Sequence, residues 1–551
     1  MKKPLSSEQI PTPRDASLTR TQCQVEMGKE DLQKHAMKSK IAKNTFINFA
    51  GSALSYLSGF IVLPFLVRKL GLEQFGLYSI VSLFSVTGFM YLLEMGFQSS
   101  VIKYTAQFHA QDNRVKLNQL ASSAILIFIV LSFFSATIGY FVSPYLVGFF
   151  KVSDIYRDPL ILALRITFVT HLFSFPGLIA TGLVQGFQDF SLQKSLDASI
   201  TLTRSLGSIA LLLFGASFID LVIFMSVLQV LQCLILFGYL MIWRKIRIHV
   251  SEFSVSLLKE IRQMTALVFI GRLCSFAFTH VDRLILSHYV GPAALGLYEA
   301  AIRLPFGIKG ILSQLNIVLM PASSHISSGV ESEERLSRIY VKAVDFQFFV
   351  SLPIIITFLV FAHPIMRLWL GAGTDQAATL MQIALIIPLM GPFVYVGGSM
   401  LLGTNRSLHT YTWITVVLSL VNLALDFILV PTIGTSGVLW ATAGAMILLQ
   451  PFNFQLFRKE FDVRLSEFSK ILWTSAGITA VVVLVWRIFN VDDLASGWPQ
   501  LIAGSGALWF ISSLALYQWG LQESERVLIS GYFEKIKRKL GRLSSSTGTN
   551  V

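Results

Sequence analysis

From residue 44 almost to residue 520, long apolar runs alternate with short polar breaks. Each run can cross about 30 Å of hydrocarbon as a helix rising about 1.5 Å per residue. The pattern predicts an all-α polytopic membrane protein with about fourteen transmembrane helices. The first six predicted spans are 44–67, 77–96, 119–142, 160–185, 195–214 and 219–243. A basic connector, 244–262, opens with Arg244, Lys245 and Arg247 and interrupts the series. Six more spans follow, at 264–287, 294–322, 340–361, 377–402, 410–430 and 437–457, and then two at 471–489 and 501–519.

The predicted domains follow from this grouping. Residues 1–43 form a basic cytoplasmic tail, polar enough to be disordered. Residues 44–243 are a first lobe, 244–262 a cytoplasmic linker and 263–458 a second lobe. The last two spans occupy 459–520, and a basic cytoplasmic tail fills 521–551. An amphipathic stretch, Val101–Leu117, carries Lys103, His109, Arg114 and Lys116 and is predicted as a helix extension or surface helix. The first 43 residues lack the apolar core and cleavage site of a signal peptide.

One stretch occurs twice. Gly71 to Tyr78 reads Gly-Leu-Glu-Gln-Phe-Gly-Leu-Tyr, and Gly291 to Tyr298 reads Gly-Pro-Ala-Ala-Leu-Gly-Leu-Tyr, about 220 residues later. Gly71 matches Gly291, Gly76 matches Gly296, and Tyr78 matches Tyr298. Apolar spans flank both copies, so a duplicated membrane lobe is the better reading. Glycine suits the turn, and the tyrosines are expected at the membrane surface.

Composition agrees with a membrane protein: 54% of the 551 residues are hydrophobic, 14% are charged, and the mean hydropathy is +0.64. The net charge of +13 suits basic cytoplasmic loops better than nucleic acid. With both termini inside, about 32 of the 44 basic residues fall on the cytoplasmic side and about 6 outside. Three scattered cysteines, Cys23, Cys233 and Cys274, suggest neither a disulfide framework nor a metal site. Glycine-rich phosphate loops, catalytic triads and nucleotide motifs are absent.

The remaining basic residues lie inside spans: Arg165, Arg204, Arg272, Arg283, Arg303 and Lys309. A cation at the bilayer centre costs on the order of 3 kcal/mol on insertion scales, so it is kept for a polar cavity or a partner. Arg165 and Arg283 lie near a predicted span end, where snorkelling is an equal alternative. Arg204, Arg272, Arg303 and Lys309 lie deeper. Arg272, Ser275, Thr279 and Arg283 share one helical face, and Asp197, Thr201, Arg204 and Ser208 form a similar stripe. Glu299 and Arg303 are four apart and could pair within one helix. Deep carboxylates are few, chiefly Asp197, Asp282, Glu299 and Asp426. A surplus of cations implies an anionic cargo, with phosphate or diphosphate favoured by arginine. His171, His280 and His288 lack metal spacing. Pro64, Pro176, Pro305, Pro353 and Pro392 are expected to kink their spans.

The run Val281-Asp282-Arg283-Leu284-Ile285-Leu286 followed by Gly291 to Tyr298 resembles the seventh-to-eighth span signature of Wzx-type oligosaccharide flippases. These carry O-antigen or exopolysaccharide repeat units within the multidrug/oligosaccharidyl-lipid/polysaccharide (MOP, MATE-like) exporter superfamily. Pro64 to Arg68 through Gly71 to Tyr78 resembles the family's opening motif, and Tyr298 to Gly307 resembles a region of lipid II flippases. The resemblance implies a V-shaped bundle of two six-helix lobes. It also implies carriage of an undecaprenyl-diphosphate-linked oligosaccharide from the cytoplasmic to the outer leaflet of the plasma membrane. Glycan polymerase and chain-length proteins of the same pathway are implied partners, besides membrane lipids. Proton or sodium coupling is one option, with Asp282, Glu299 and Asp426 as candidate carboxylates; no other cofactor is expected. A MATE-like multidrug or cation exporter is the main rival, and it should carry carboxylates deep in the first lobe. A membrane glycan polymerase or glycosyltransferase should show a large outer loop, and no predicted outer loop exceeds about twenty residues.

Overall fold

In the computed structural model, the described residues are 56–85, 88, 92, 96–259, 273, 276, 280–327, 332–371, 373–489, 497–523 and 526. Both predicted tails therefore lie wholly or almost wholly outside the described residues. Every regular element among the described residues is helical.

Helix α1 covers residues 56–83, with Gly71 at φ 77 separating its two halves. Then follow α2 (Phe97–Ala110), α3 (Arg114–Phe149), α4 (Asp154–Gly186), α5 (Phe190–Leu213) and α6 (Phe218–Ile242). In the second half, α7 covers 280–289, followed by α8 (Pro292–Asn316), α9 (Leu319–Ser327) and α10 (Ser332–Val360). The chain continues through α11 (Ala362–Leu370), α12 (Asp375–Ala384), α13 (Ile386–Thr404), α14 (Leu408–Ile433) and α15 (Thr435–Phe461). Helices α16 (Ser469–Phe489) and α17 (Trp498–Ala515) end the described fold.

Eleven helical segments among the described residues are long and apolar enough to cross a membrane. They match the predicted spans except the first, second and seventh, each of which runs partly through residues not described.

Some boundaries differ from the pattern for local reasons. The amphipathic stretch Val101–Leu117 is not one helix. Asp112 takes φ 48, and the Asn113 side chain caps α3 by accepting from the Lys116 N–H at 3.0 Å. The span predicted at 377–402 is divided at Leu385 into α12 and α13. Pro388 has no N–H to offer the Ala384 carbonyl, which accounts for the break. Pro64, Pro176, Pro305, Pro353 and Pro392 lie inside helices.

The connector is a strap rather than a loose loop. Its backbone N–H groups at Arg247, His249 and Ser254 donate to Asn118, Ser122 and Ser123 of α3. Arg244 pairs with Asp189, with its Nε 2.7 Å from Oδ2, and its guanidinium lies over the Phe187 ring.

The two copies of the duplicated stretch pack against each other. A Cβ at Gly76 would collide with the Pro292 carbonyl, and one at Gly296 would collide with the Leu72 carbonyl. Leu72 and Pro292 are themselves equivalent positions, so the contact is reciprocal, as a two-fold relation between lobes requires. Around this seam one apolar core takes residues from both lobes, including Leu77, Ile80, Leu164 and Leu221 with Leu286, Leu295, Ala301 and Met366. Cross-lobe hydrogen bonds collect at the same end. Lys151 Nζ donates to the Tyr289 carbonyl at 2.9 Å, Arg68 to the Leu368 carbonyl at 2.6 Å, and Trp369 Nε1 to the Phe60 carbonyl at 3.1 Å.

At the opposite end each lobe keeps its own core. One is built from residues such as Phe108, Leu120, Phe175 and Leu240, the other from Tyr340, Met400, Phe457 and Phe468. Among the described residues the lobes are joined at the motif end and have separate cores at the other.

Candidate functional site

Where the lobes diverge, α1 of the first faces α8 of the second. Gly59 leaves room for the Arg303 guanidinium, and Gly310 leaves room for the Tyr56 ring; a Cβ at either glycine would collide. Arg303 is exposed toward this cleft. Lys309, two turns further along α8, is half-buried with its ammonium 5.5 Å from the centre of the Phe306 ring.

The first lobe lines a cavity of about 520 Å³ between α1, α2, α4, α5 and α6, with Gln98 contributed by α2. Its wall includes Tyr78, Thr170, Gln185, Gln193, Gln229 and Gln232, with Asp197 and Arg204 as its acidic and guanidinium groups. Gln232 donates to Asp197 at 3.1 Å. The Nε of Arg204 is buried without a hydrogen-bond partner. Arg204 shares this wall with Tyr78, whereas Arg303 lies against Gly59 on the cleft side.

The other predicted cations are placed differently. Arg165 stacks on the Tyr140 ring at 4.6 Å in a shallow groove beside the exposed Leu162, Val169 and Phe173. It therefore lies on the outer flank of the first lobe. Arg283 is ion-paired with Glu299, both side chains being less than a fifth exposed. His280 Nδ1 lies 3.2 Å from the same guanidinium. Glu299 therefore pairs across α7 and α8, and not with Arg303 along α8. Arg204, Arg303 and Lys309 have no ion-pair partner among the described residues. Arg272, Ser275 and Thr279 lie outside the described residues.

The second lobe holds a buried acidic cluster. Asp282 of α7 and Asp426 of α14 are 4% and 0% exposed and are joined through Asn422 and Thr442. Asn422 donates to Asp426 at 3.2 Å, and Thr442 of α15 lies 3.4 Å from Asp282. One oxygen of each carboxyl is buried and unpartnered. Two carboxyl groups buried in one cluster disfavour each other's ionisation.

The tyrosines of the duplicated stretch are not at the surface. Tyr78 lines the first-lobe cavity, and Tyr298 is 4% exposed. The seam draws both motifs inward, so each ring reaches the polar interior of its own lobe. The glutamines of the cavity went unnoticed in the sequence because single uncharged residues barely disturb an apolar run. Asn422 could have been found from its four-residue spacing to Asp426. His171 is held by the Phe84 carbonyl at 2.8 Å and Ser135 at 2.9 Å, a structural arrangement.

Residues 41–327 match the family model described as polysaccharide biosynthesis protein. The chain belongs to that family. The family's match spans the first lobe and the seam, including Arg204, Asp282 and Arg303. A relative, the putative O-antigen transporter of Shigella flexneri, is 22% identical over 334 residues, covering 60% of this chain and 77% of its own. Among solved structures, lipid II flippase MurJ in an inward closed conformation aligns with a TM-score of 0.67 at 17% identity, covering 87% of this chain and 99% of its own. An inward-facing multidrug resistance MATE transporter of the MOP superfamily aligns with a TM-score of 0.60 at 14% identity, covering 75% and 94%. The fold is that of MOP-superfamily transporters. These relatives and neighbours are transporters and flippases, not enzymes.

Proposed function

We propose that this member of the family is a flippase for an undecaprenyl-diphosphate-linked oligosaccharide, moving it from the cytoplasmic to the outer leaflet of the plasma membrane. The observation that carries the reading is a pair of guanidinium groups, one from each lobe: Arg204 on the first-lobe cavity wall with its Nε unpartnered, and Arg303 against Gly59 in the cleft. Neither has a carboxylate partner among the described residues. Guanidinium groups left free in this way suit a diphosphate, which offers several oxygens to arginine forks. Lys309 adds a third cation, and Arg272 is proposed as a fourth. Arg165 and Arg283 fit this role less well, the first for its place on the flank and the second for its bond to Glu299.

Transport would proceed by alternating access, with the isoprenoid tail kept in the bilayer. Basic residues concentrate on the side opposite the seam, so both termini and the open end of the cleft are assigned to the cytoplasm. Opening the outer side requires the Gly76–Gly296 seam to part while the separate cores at the other end approach. Asp282 and Asp426 are proposed to bind a proton or sodium ion whose gradient drives this exchange; Glu299, committed to Arg283, is a weaker candidate. Release to a glycan polymerase and chain-length proteins would follow.

Asp197, a carboxylate in the first-lobe cavity, favours the exporter alternative. Its charge is opposed there by Arg204, about two turns along the same helix. Reconstituted vesicles separate the two readings. The flippase reading expects a lipid-linked oligosaccharide to become accessible to a membrane-impermeant glycosidase on the far leaflet. Export of cationic dyes without oligosaccharide translocation would replace it with the exporter.

A further inference from the structure

The first-lobe cavity has a mixed wall, which suits the hydroxyls and apolar faces of a sugar better than a diphosphate or an isoprenoid tail alone. An isoprenoid would call for an apolar wall, and a diphosphate for several cations. Here 13 of the 23 lining residues carry a side-chain amide or hydroxyl, with one carboxylate and one guanidinium, interleaved with apolar groups such as Val81, Leu178, Val222 and Leu236. Side-chain amides both donate and accept hydrogen bonds, as sugar hydroxyls do. The volume of about 520 Å³ falls within the range of small-molecule sites, about 300–1,000 Å³.

Two observations indicate that the wall awaits a polar ligand. Gln193 is 6% exposed, and its Oε1 is buried with no hydrogen-bond partner. The Nε of Arg204 is in the same condition. Buried polar atoms without partners are unfavourable and uncommon, so such groups on a cavity wall point to an occupant that completes them.

The cavity is also long. Its lining on α4 runs from Thr167 to Gln185, about 27 Å of helix at about 1.5 Å per residue. Tyr78 and Arg204 mark the seam end, and Gln185 and Gln193 mark the other. An extended chain of sugars attached to a phosphate at Arg204 would run down the glutamine wall.

We propose that this cavity recognises the sugar portion of the substrate, with Gln193 and Gln229 as specificity-determining contacts. The proposal rests on the lipid-linked-oligosaccharide reading above. It divides recognition between a cation pair for the diphosphate and the first lobe for the glycan.

The test uses full-length protein in lipid nanodiscs free of sugar-headed detergent. The two probes are bare undecaprenyl diphosphate and the oligosaccharide-bearing carrier extracted from producing cells that lack the transporter. Gln193→Leu and Gln229→Leu are made singly, so that a folding failure in one leaves the other to decide. Wild type is expected to bind the glycosylated carrier at least ten-fold tighter than the bare one. Each variant should bring that ratio close to one while its affinity for the bare carrier stays as in wild type, which also reports correct folding. Equal binding of both probes by wild type, or a ratio unchanged in a folded variant, would overturn the sugar site and leave the flippase reading standing. Failure of wild type to bind either probe would overturn both.

Discussion

The backbone of Gly76 lies directly against the carbonyl of Pro292, and the equivalent Gly296 lies against the carbonyl of Leu72. Both contacts need a residue without a side chain, since even a methyl group would collide with main-chain atoms. The seam is thus held by close packing, which the proposed alternating access would have to undo and remake in every cycle. Gly76→Val is expected to wedge it. Transport should fall at least ten-fold, and the seam should become reactive to thiol reagents at a cysteine placed at Leu72. Normal transport by a well-folded Gly76→Val protein would show that the seam is not a moving contact.

Arg283 serves the fold through Glu299. Removing one partner of a buried ion pair leaves the other charged and unpaired, at a cost of about 3–5 kcal/mol. Arg283→Ala should lower thermal stability markedly, whereas Arg283→Met combined with Glu299→Leu should recover much of the loss. A single variant as stable as wild type would contradict the pairing.

Gly59 makes space for Arg303. Gly59→Leu should displace that guanidinium and reduce transport as Arg303→Ala does, with the double variant no worse than either single one. Additive losses would mean that the two positions act separately.

The acidic cluster of the second lobe should make transport depend on an ion gradient. Asp426→Asn keeps the hydrogen-bonding shape and removes one charge. Uptake driven by an imposed sodium or proton gradient should disappear, while passive exchange of substrate continues. Gradient-driven transport persisting in both Asp426→Asn and Asp282→Asn would remove the cluster from the coupling role.

Much of this architecture was legible in the sequence. Long apolar runs are set by the thickness of hydrocarbon, and so the spans could be read directly. The repeated Gly–Tyr stretch exposed the two-lobed plan, yet the reciprocal packing of Gly76 and Gly296 could not be seen, because it joins residues about 220 apart. Depth set Arg204, Arg272, Arg303 and Lys309 apart from Arg165 and Arg283, but it offered snorkelling for Arg283 and could not reveal its partner on the next helix. Helical spacing suggested Glu299 with Arg303, and tertiary packing gave Glu299 to Arg283 instead. Arg204 and Asp197 were visible as a stripe; the glutamines that complete their cavity came from four helices and were not. The second-lobe cluster joins α7, α14 and α15, so only its carboxylates stood out in the sequence.

Arg204 and Arg303, one from each lobe and neither with a carboxylate partner among the described residues, are the centre of the functional reading. The most direct measurement is the amount and sidedness of lipid-linked oligosaccharide in producing cells that lack the protein, complemented with wild type, Arg204→Ala or Arg303→Ala at matched expression. The expected result is accumulation on the cytoplasmic leaflet, cleared by wild type and cleared at least ten-fold more slowly by either variant. Clearance by both variants at the wild-type rate, or no accumulation without the protein while glycan export continues, would contradict it.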